Sequence, residues 1–129
     1  MPKGPTFGDF IRELRKKLML TQRDVAERVV AHLKGDAARG FDVTYLSKIE
    51  NNRLPPPSTS AILALAIVLE TDPDDLLALA GKAAPDIGEK FKESPKARAF
   101  FRSAIELDLS EQDWERLLEK MQRDKRKKP

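Results

Sequence analysis

Apolar residues recur along this chain with the period of a helix, and no stretch alternates with the period of a strand. Phe7, Phe10, Ile11, Leu14 and Leu18 line one face of a helix over residues 7–19, with Thr6 and Asp9 spaced as a capping pair at its start. Thr21 and Asp24 repeat that spacing, and Val25, Ala26, Val29, Val30 and Leu33 carry a second helix from Gln22 to Leu33, where Lys34-Gly35 stops it. Asp42 is a natural N-cap for a third helix. Its Leu46 and Ile49 point one way, while Thr44, Ser47, Lys48 and Asn51 form a polar stripe on the other side. Asn52 tolerates the left-handed conformation that closes a helix, and Leu54-Pro55-Pro56-Pro57 imposes an extended exit.

The next segment, from Ser58 or Thr59 to Leu69, is apolar almost all round, as a buried helix must be. Asp72-Pro73-Asp74-Asp75 then supplies a cap, a first-turn proline and two acids matched to the helix dipole, opening a fifth helix that ends at Gly81. Residues 82–93 show no clear period and are expected to be a linker with at most a weak turn. Ser94-Pro95 opens a helix bearing Ala97, Phe100, Phe101, Ala104 and Ile105, and Ser110 with Asp113 opens another bearing Trp114, Leu117, Leu118 and Met121. The pattern predicts an all-α protein. It comprises a flexible start at 1–6, a domain at 7–81, the linker, a helical hairpin at 94–124 for oligomerisation or packing, and a basic tail at 125–129. Aromatics at helical spacing are expected to be core, so Phe100, Phe101 and Trp114 are assigned to packing rather than to a ligand pocket.

The net charge of +3 conceals a polarised distribution. Residues 1–55 carry eleven Lys and Arg against seven Asp and Glu, whereas residues 56–81 carry none against four. A basic amino-terminal half suits a polyanionic partner. The chain has no Cys and a single His, His32, which leaves no thiolate nucleophile, no disulfide and no cluster of soft metal ligands. No phosphate-cradling glycine loop is present, and Asp74 and Asp75 are accounted for as helix-start residues. No enzyme, metal or cofactor is therefore expected. The longest apolar run, residues 61–69, is too short to cross a bilayer, and a cytoplasmic protein without membrane contact is expected.

Two helices followed by a third with an outward polar and basic stripe meet the physical requirements of a helix-turn-helix, in which one helix crosses the phosphate backbone and the next enters the major groove. The stretches LRKKLMLTQRDVAERV, GFDVTYLSKIENNR and PSTSAILALAIVLETDPDDLLALAG, in that order, resemble the phage-repressor or Xre-type family of DNA-binding domains over residues 7–81. The resemblance implies a five-helix, lambda-repressor-like fold, here with an extended second helix. It also implies a homodimeric regulator, most simply a repressor, on double-stranded DNA with a pseudo-palindromic operator. Matched residue by residue, it places Thr21 and Gln22 against backbone phosphate at the start of the second helix. It sets Val43, Thr44, Ser47 and Lys48 against base edges, Asn51 and Arg53 on phosphate past the recognition helix, and Arg15 with Glu50 in a structural ion pair.

The sequence departs from the family in having Asn52 where Gly is usual and in ten additional residues at 30–39. Because the apolar face of the second helix runs on to Leu33, the insertion is expected to be a surface excursion. Lys34 and Arg39 are candidate phosphate contacts within it. The carboxy-terminal segment also bears a likeness, without a sharp motif, to tails of Xre-type regulators paired with zinc peptidases. The alternative to a DNA reader is accordingly an antitoxin-like or adaptor module that holds a protein partner or serves as a peptidase substrate.

Overall fold

A computed structural model describes residues 4–127. Residues 1–3 of the expected flexible start and 128–129 of the expected basic tail lie outside the described residues. Among those described there are eight α-helices and no strand, and the chain divides into two units with the boundary between Ala84 and Pro85.

The first unit contains α1 (Phe7–Lys17), α2 (Gln22–His32), α3 (Val43–Glu50), α4 (Thr59–Val68) and α5 (Pro73–Leu79). The helix starts are capped from side chains: Thr6, Thr21, Asp42, Ser58 and Asp72 each accept a backbone N–H from the first turn. Such bonds satisfy donors that a helix leaves unpaired at its beginning. α4 is the axle of the unit. Ala61, Ile62, Ala64, Leu65, Ala66 and Val68 are all buried, and α4 packs on both α2 and α5. Around it Ile11, Val25, Val29, Leu46, Ile49, Leu76 and Leu77 close a core in which each is at most 1% exposed.

The ten-residue insertion resolves into two parts. Its beginning prolongs α2 as far as His32, and Leu33 caps the helix while remaining packed against the core. Its remainder forms a single 3-10 turn over Gly35–Ala38, after which Gly40, at φ 81°, reverses the chain so that Phe41 is buried. Phe41 meets Tyr45 edge-on, with ring centroids 5.4 Å apart. Leu33 and Phe41 thus pin both ends of the excursion to the core, and the detour leaves Thr44 and Lys48 of α3 exposed.

The second unit contains α6 (Pro85–Glu93), α7 (Pro95–Glu106) and α8 (Glu111–Lys127). The expected linker at 82–93 is therefore corrected, because most of it is helix. Pro85 and Asp86 begin α6, Lys90 and Lys92 stand in its last turn, and Lys90–Glu93 and Lys92–Glu89 pair along its surface. With Ile87 and Phe91 as its only large apolar residues, α6 gives too short a stripe for a helical period to register. Phe91 joins it to α7 by an edge-on contact with Phe101, which in turn stacks on Trp114 of α8 at 6.3 Å.

The aromatics expected as core are only partly so. Phe100 and Phe101 remain 49% and 41% exposed, and Ala104 is the only buried residue among those described in this unit. Three short helices have too little volume to enclose rings of this size. The first unit, in contrast, holds every residue of the core cluster between Phe7 and Leu77. A chain cut after Ala84 is expected to unfold in one cooperative thermal transition followed by circular dichroism. A broad, non-cooperative melt would contradict this independence.

Candidate nucleic-acid interface

The polar stripe of α3 has the exposure that a groove-reading face needs. Thr44 and Lys48 are exposed and Ser47 is half-buried, all on the side opposite the buried Leu46 and Ile49. Thr44 and Ser47 hydroxyls can donate or accept, and the Lys48 ammonium can donate to guanine O6 or N7. Val43 stands apart from them. It is half-buried and packed on the core, so only part of its side chain is available for an apolar contact with a thymine methyl.

At the start of α2, Thr21 and Asp24 cap each other. Thr21 Oγ accepts the Asp24 N–H at 3.0 Å, and an Asp24 carboxylate oxygen accepts the Thr21 N–H at 3.0 Å. The backbone bond from Thr21, followed by the one from its hydroxyl, holds the Asp24 carboxyl below its ordinary pKa. The backbone N–H groups of Gln22 and Arg23 lie in the first turn, which has no preceding carbonyls to bond. The Gln22 side chain is engaged within the protein. Its Nε2 donates to Glu50 Oε1 at 3.0 Å, leaving one amide hydrogen for another acceptor.

Glu50 is the junction of the three helices. It is 1% exposed, and its carboxylate takes Arg15 in a two-pronged grip, Nε to Oε2 at 2.8 Å and one terminal nitrogen to Oε1 at 2.9 Å. The other terminal nitrogen of Arg15 donates to the Leu20 carbonyl at 3.0 Å, fixing the turn between α1 and α2. The hydrogen bond to Glu50 raises the Arg15 pKa above its ordinary value, with burial opposing it. Through Glu50, α3 is tied to both α1 and α2, which orients its outward stripe.

The far end of α3 closes on Asn52 at φ 60°, and the Arg53 and Leu54 N–H groups both turn back to the Lys48 carbonyl. Asn51 donates its side-chain amide to the Ser47 carbonyl at 2.9 Å and to the Ser47 hydroxyl at 3.4 Å, so a phosphate would have to draw that group off the helix end. Arg53 is exposed and needs no such rearrangement.

Two contributors carried no functional signal in the sequence. Asp9, beyond its place at the start of α1, accepts Asn52 Nδ2 at 3.1 Å, and this bond, ahead of the one from Thr6, lowers its pKa. Gly8 is the other, because its α-carbon lies so close to the end of α3 that an added Cβ would stand 2.2 Å from the Ile49 carbonyl oxygen. In the insertion, Lys34 and Arg39 are exposed, with Arg39 3.8 Å from Asp36.

A buried-core trio of helices that presents an exposed polar stripe on the third, behind a second helix with an open amino-terminus, defines the helix-turn-helix class of DNA-binding domains. A family model described as a helix-turn-helix domain matches residues 6–79, and the chain belongs to that family. A search of curated proteins returned no match. Among solved structures, a SinR protein/SinI protein complex is similar at 21% identity over 95% of this chain and 100% of that chain, with a TM-score of 0.47. No helix among the described residues is long and apolar enough to cross a membrane.

Proposed function

We propose that this chain is a sequence-specific transcriptional regulator of the Xre type, a cytoplasmic repressor that binds a pseudo-palindromic operator as a homodimer. The observation that carries the reading is the orientation of α3: its Thr44 and Lys48 face outward while Glu50, two residues past Lys48 and on the inner side, is locked to α1 and α2. Thr44, Ser47 and Lys48, with the exposed part of Val43, would meet base edges. Thr21, the second amide hydrogen of Gln22, Asn51 and Arg53 would meet phosphates. Phosphate contacts supply most of the affinity in such complexes and base contacts the discrimination.

Selection of bound duplexes from a random pool should return inverted half-sites. On the selected duplex, Lys48→Ala is expected to cost about 1–3 kcal/mol and relax preference at one position while leaving the salt dependence of nonspecific binding unchanged. Arg53→Ala is expected to weaken all sequences alike and to flatten the salt dependence. Titrations at two salt concentrations separate the two effects, and an even loss across all sequences for Lys48→Ala would remove its assignment to a base.

The exposed aromatic face of the second unit favours a second reading, an adaptor or antitoxin-like module whose partner is a protein. That module would show little duplex binding at either salt concentration.

A further inference from the structure

Of the ten large apolar residues exposed among the described residues, seven lie in the second unit, including Leu118 at 51% and Met121 at 60% on α8. Apolar exposure of this density on a unit with almost no core calls for a cover, and on α8 it falls at Leu118 and Met121. The charges beside it indicate what the cover is. Glu111 stands seven residues before Leu118 and Lys125 seven after, so at 3.6 residues per turn all three share one face, with Glu115 and Gln122 between them. Glu111 and Lys125 are both exposed, and neither has an ion-pair partner among the described residues, whereas Asp113 with Arg116 and Lys120 with Asp124 pair along the helix.

We infer that α8 pairs antiparallel with α8 of a second copy of this chain, with Leu118 on the two-fold axis. In that arrangement a residue as far before Leu118 as another lies after it faces that other residue across the axis, so Glu111 of each copy meets Lys125 of its partner. Leu118 packs on its counterpart, and each Met121 lies over the partner's Glu115 stem. A parallel pair would set Glu111 against Glu111 and Lys125 against Lys125. The inference rests on the homodimer proposed above and adds its surface and direction.

The acid-first, base-last order of α8 also complements the dipole of a lone helix. The two explanations diverge under charge reversal. Full-length Glu111→Lys and full-length Lys125→Glu should each raise the dimer dissociation constant, read by sedimentation, about tenfold, because each homodimer then holds two like-charged pairs. Mixed in equal amounts, the two variants should recover the wild-type constant to within about threefold. In the mixed dimer the lysine introduced on one copy faces the glutamate introduced on the other, and the unaltered Glu111 faces the unaltered Lys125. A dipole effect within single helices gives no recovery on mixing, and that result overturns the inference. So does a dimer constant that neither reversal changes. Leu118→Glu should abolish the dimer at concentrations where wild type is fully paired, and its retention also overturns the inference. A wild-type chain that stays monomeric overturns it together with the homodimer. Duplex titration of the same samples judges DNA binding separately.

Discussion

Gly8→Ala is expected to destabilise the amino-terminal unit by about 3 kcal/mol, at the upper end of overpacking penalties. Gly8 sits in the first turn of α1 with ordinary helical backbone angles, so conformational freedom is not what the position requires. Taken alone, exchanging a helical Gly for Ala gains up to about 1 kcal/mol of helix propensity. Space decides the sign. The new Cβ would lie 2.2 Å from the Ile49 carbonyl oxygen, 2.7 Å from Asn52 Oδ1 and 3.0 Å from the Glu50 carbonyl oxygen. Two of those three atoms are backbone, and the Ile49 carbonyl also accepts the Asn52 N–H that closes α3. Relief would have to come from moving α1 away from α3, which would loosen Arg15 from Glu50 and Asp9 from Asn52. Urea denaturation of Gly8→Ala should therefore show a lower midpoint with a similar slope. A midpoint equal to or above wild type would mean that the two helices are not in this contact. Gly88 in α6, where an added Cβ meets nothing within 4 Å, is the control at which the same exchange should not destabilise.

That contact explains what the sequence could and could not disclose. Helix stripes and caps are local, so Thr6, Thr21, Asp42 and Asp72 were legible as helix starts and the fourth start was narrowed to Ser58 or Thr59, while the alternation of Leu46 and Ile49 with Thr44 and Lys48 separated the inner from the outer face of α3. The prolonged stripe through Leu33 likewise announced that part of the insertion is helix. Gly8 was illegible because its role is set by a residue forty-one positions away, and a glycine in a helical stretch carries no sign of what lies beside it. Gln22 was legible as polar and at a helix start. That its amide points inward to Glu50 follows only from the packing of α2 on α3. The helix at Pro85–Glu93 escaped because two apolar residues cannot define a period, although its Pro-Asp start follows the same rule that exposed α5. The ion pair of Arg15 with Glu50, in turn, rested on family resemblance, since nothing in the spacing of two residues on different helices selects one partner over another.

Glu50→Ala should have the larger effect, about 3–5 kcal/mol, because it removes one side of a buried pair and leaves the other charged. Arg15 has only 14% of its side chain exposed, so its guanidinium would keep the Leu20 carbonyl but lose both oxygens that compensate its charge. Gln22 would lose its internal acceptor as well. The pair as a whole need not be stabilising, since bringing two charges out of water offsets much of their attraction. The decisive comparison is therefore with the double replacement Arg15→Met, Glu50→Leu, which removes both charges and fills the space. Stability in urea should fall sharply for Glu50→Ala and recover most of the way in the double variant. Equal loss in both would show that the geometry of the grip, rather than an uncompensated charge, sustains the fold. Affinity for duplex DNA should not follow the same course. With Glu50 gone, the Gln22 amide is no longer held at the start of α2, and α3 is tied to its neighbours by packing and by the Asn52 bond to Asp9 at its end, so the double variant should be folded yet bind duplex DNA more weakly than wild type. Recovery of affinity together with stability would mean that Glu50 acts on the fold only, and that the orientation of Thr44, Ser47 and Lys48 depends on the apolar contacts of Leu46 and Ile49.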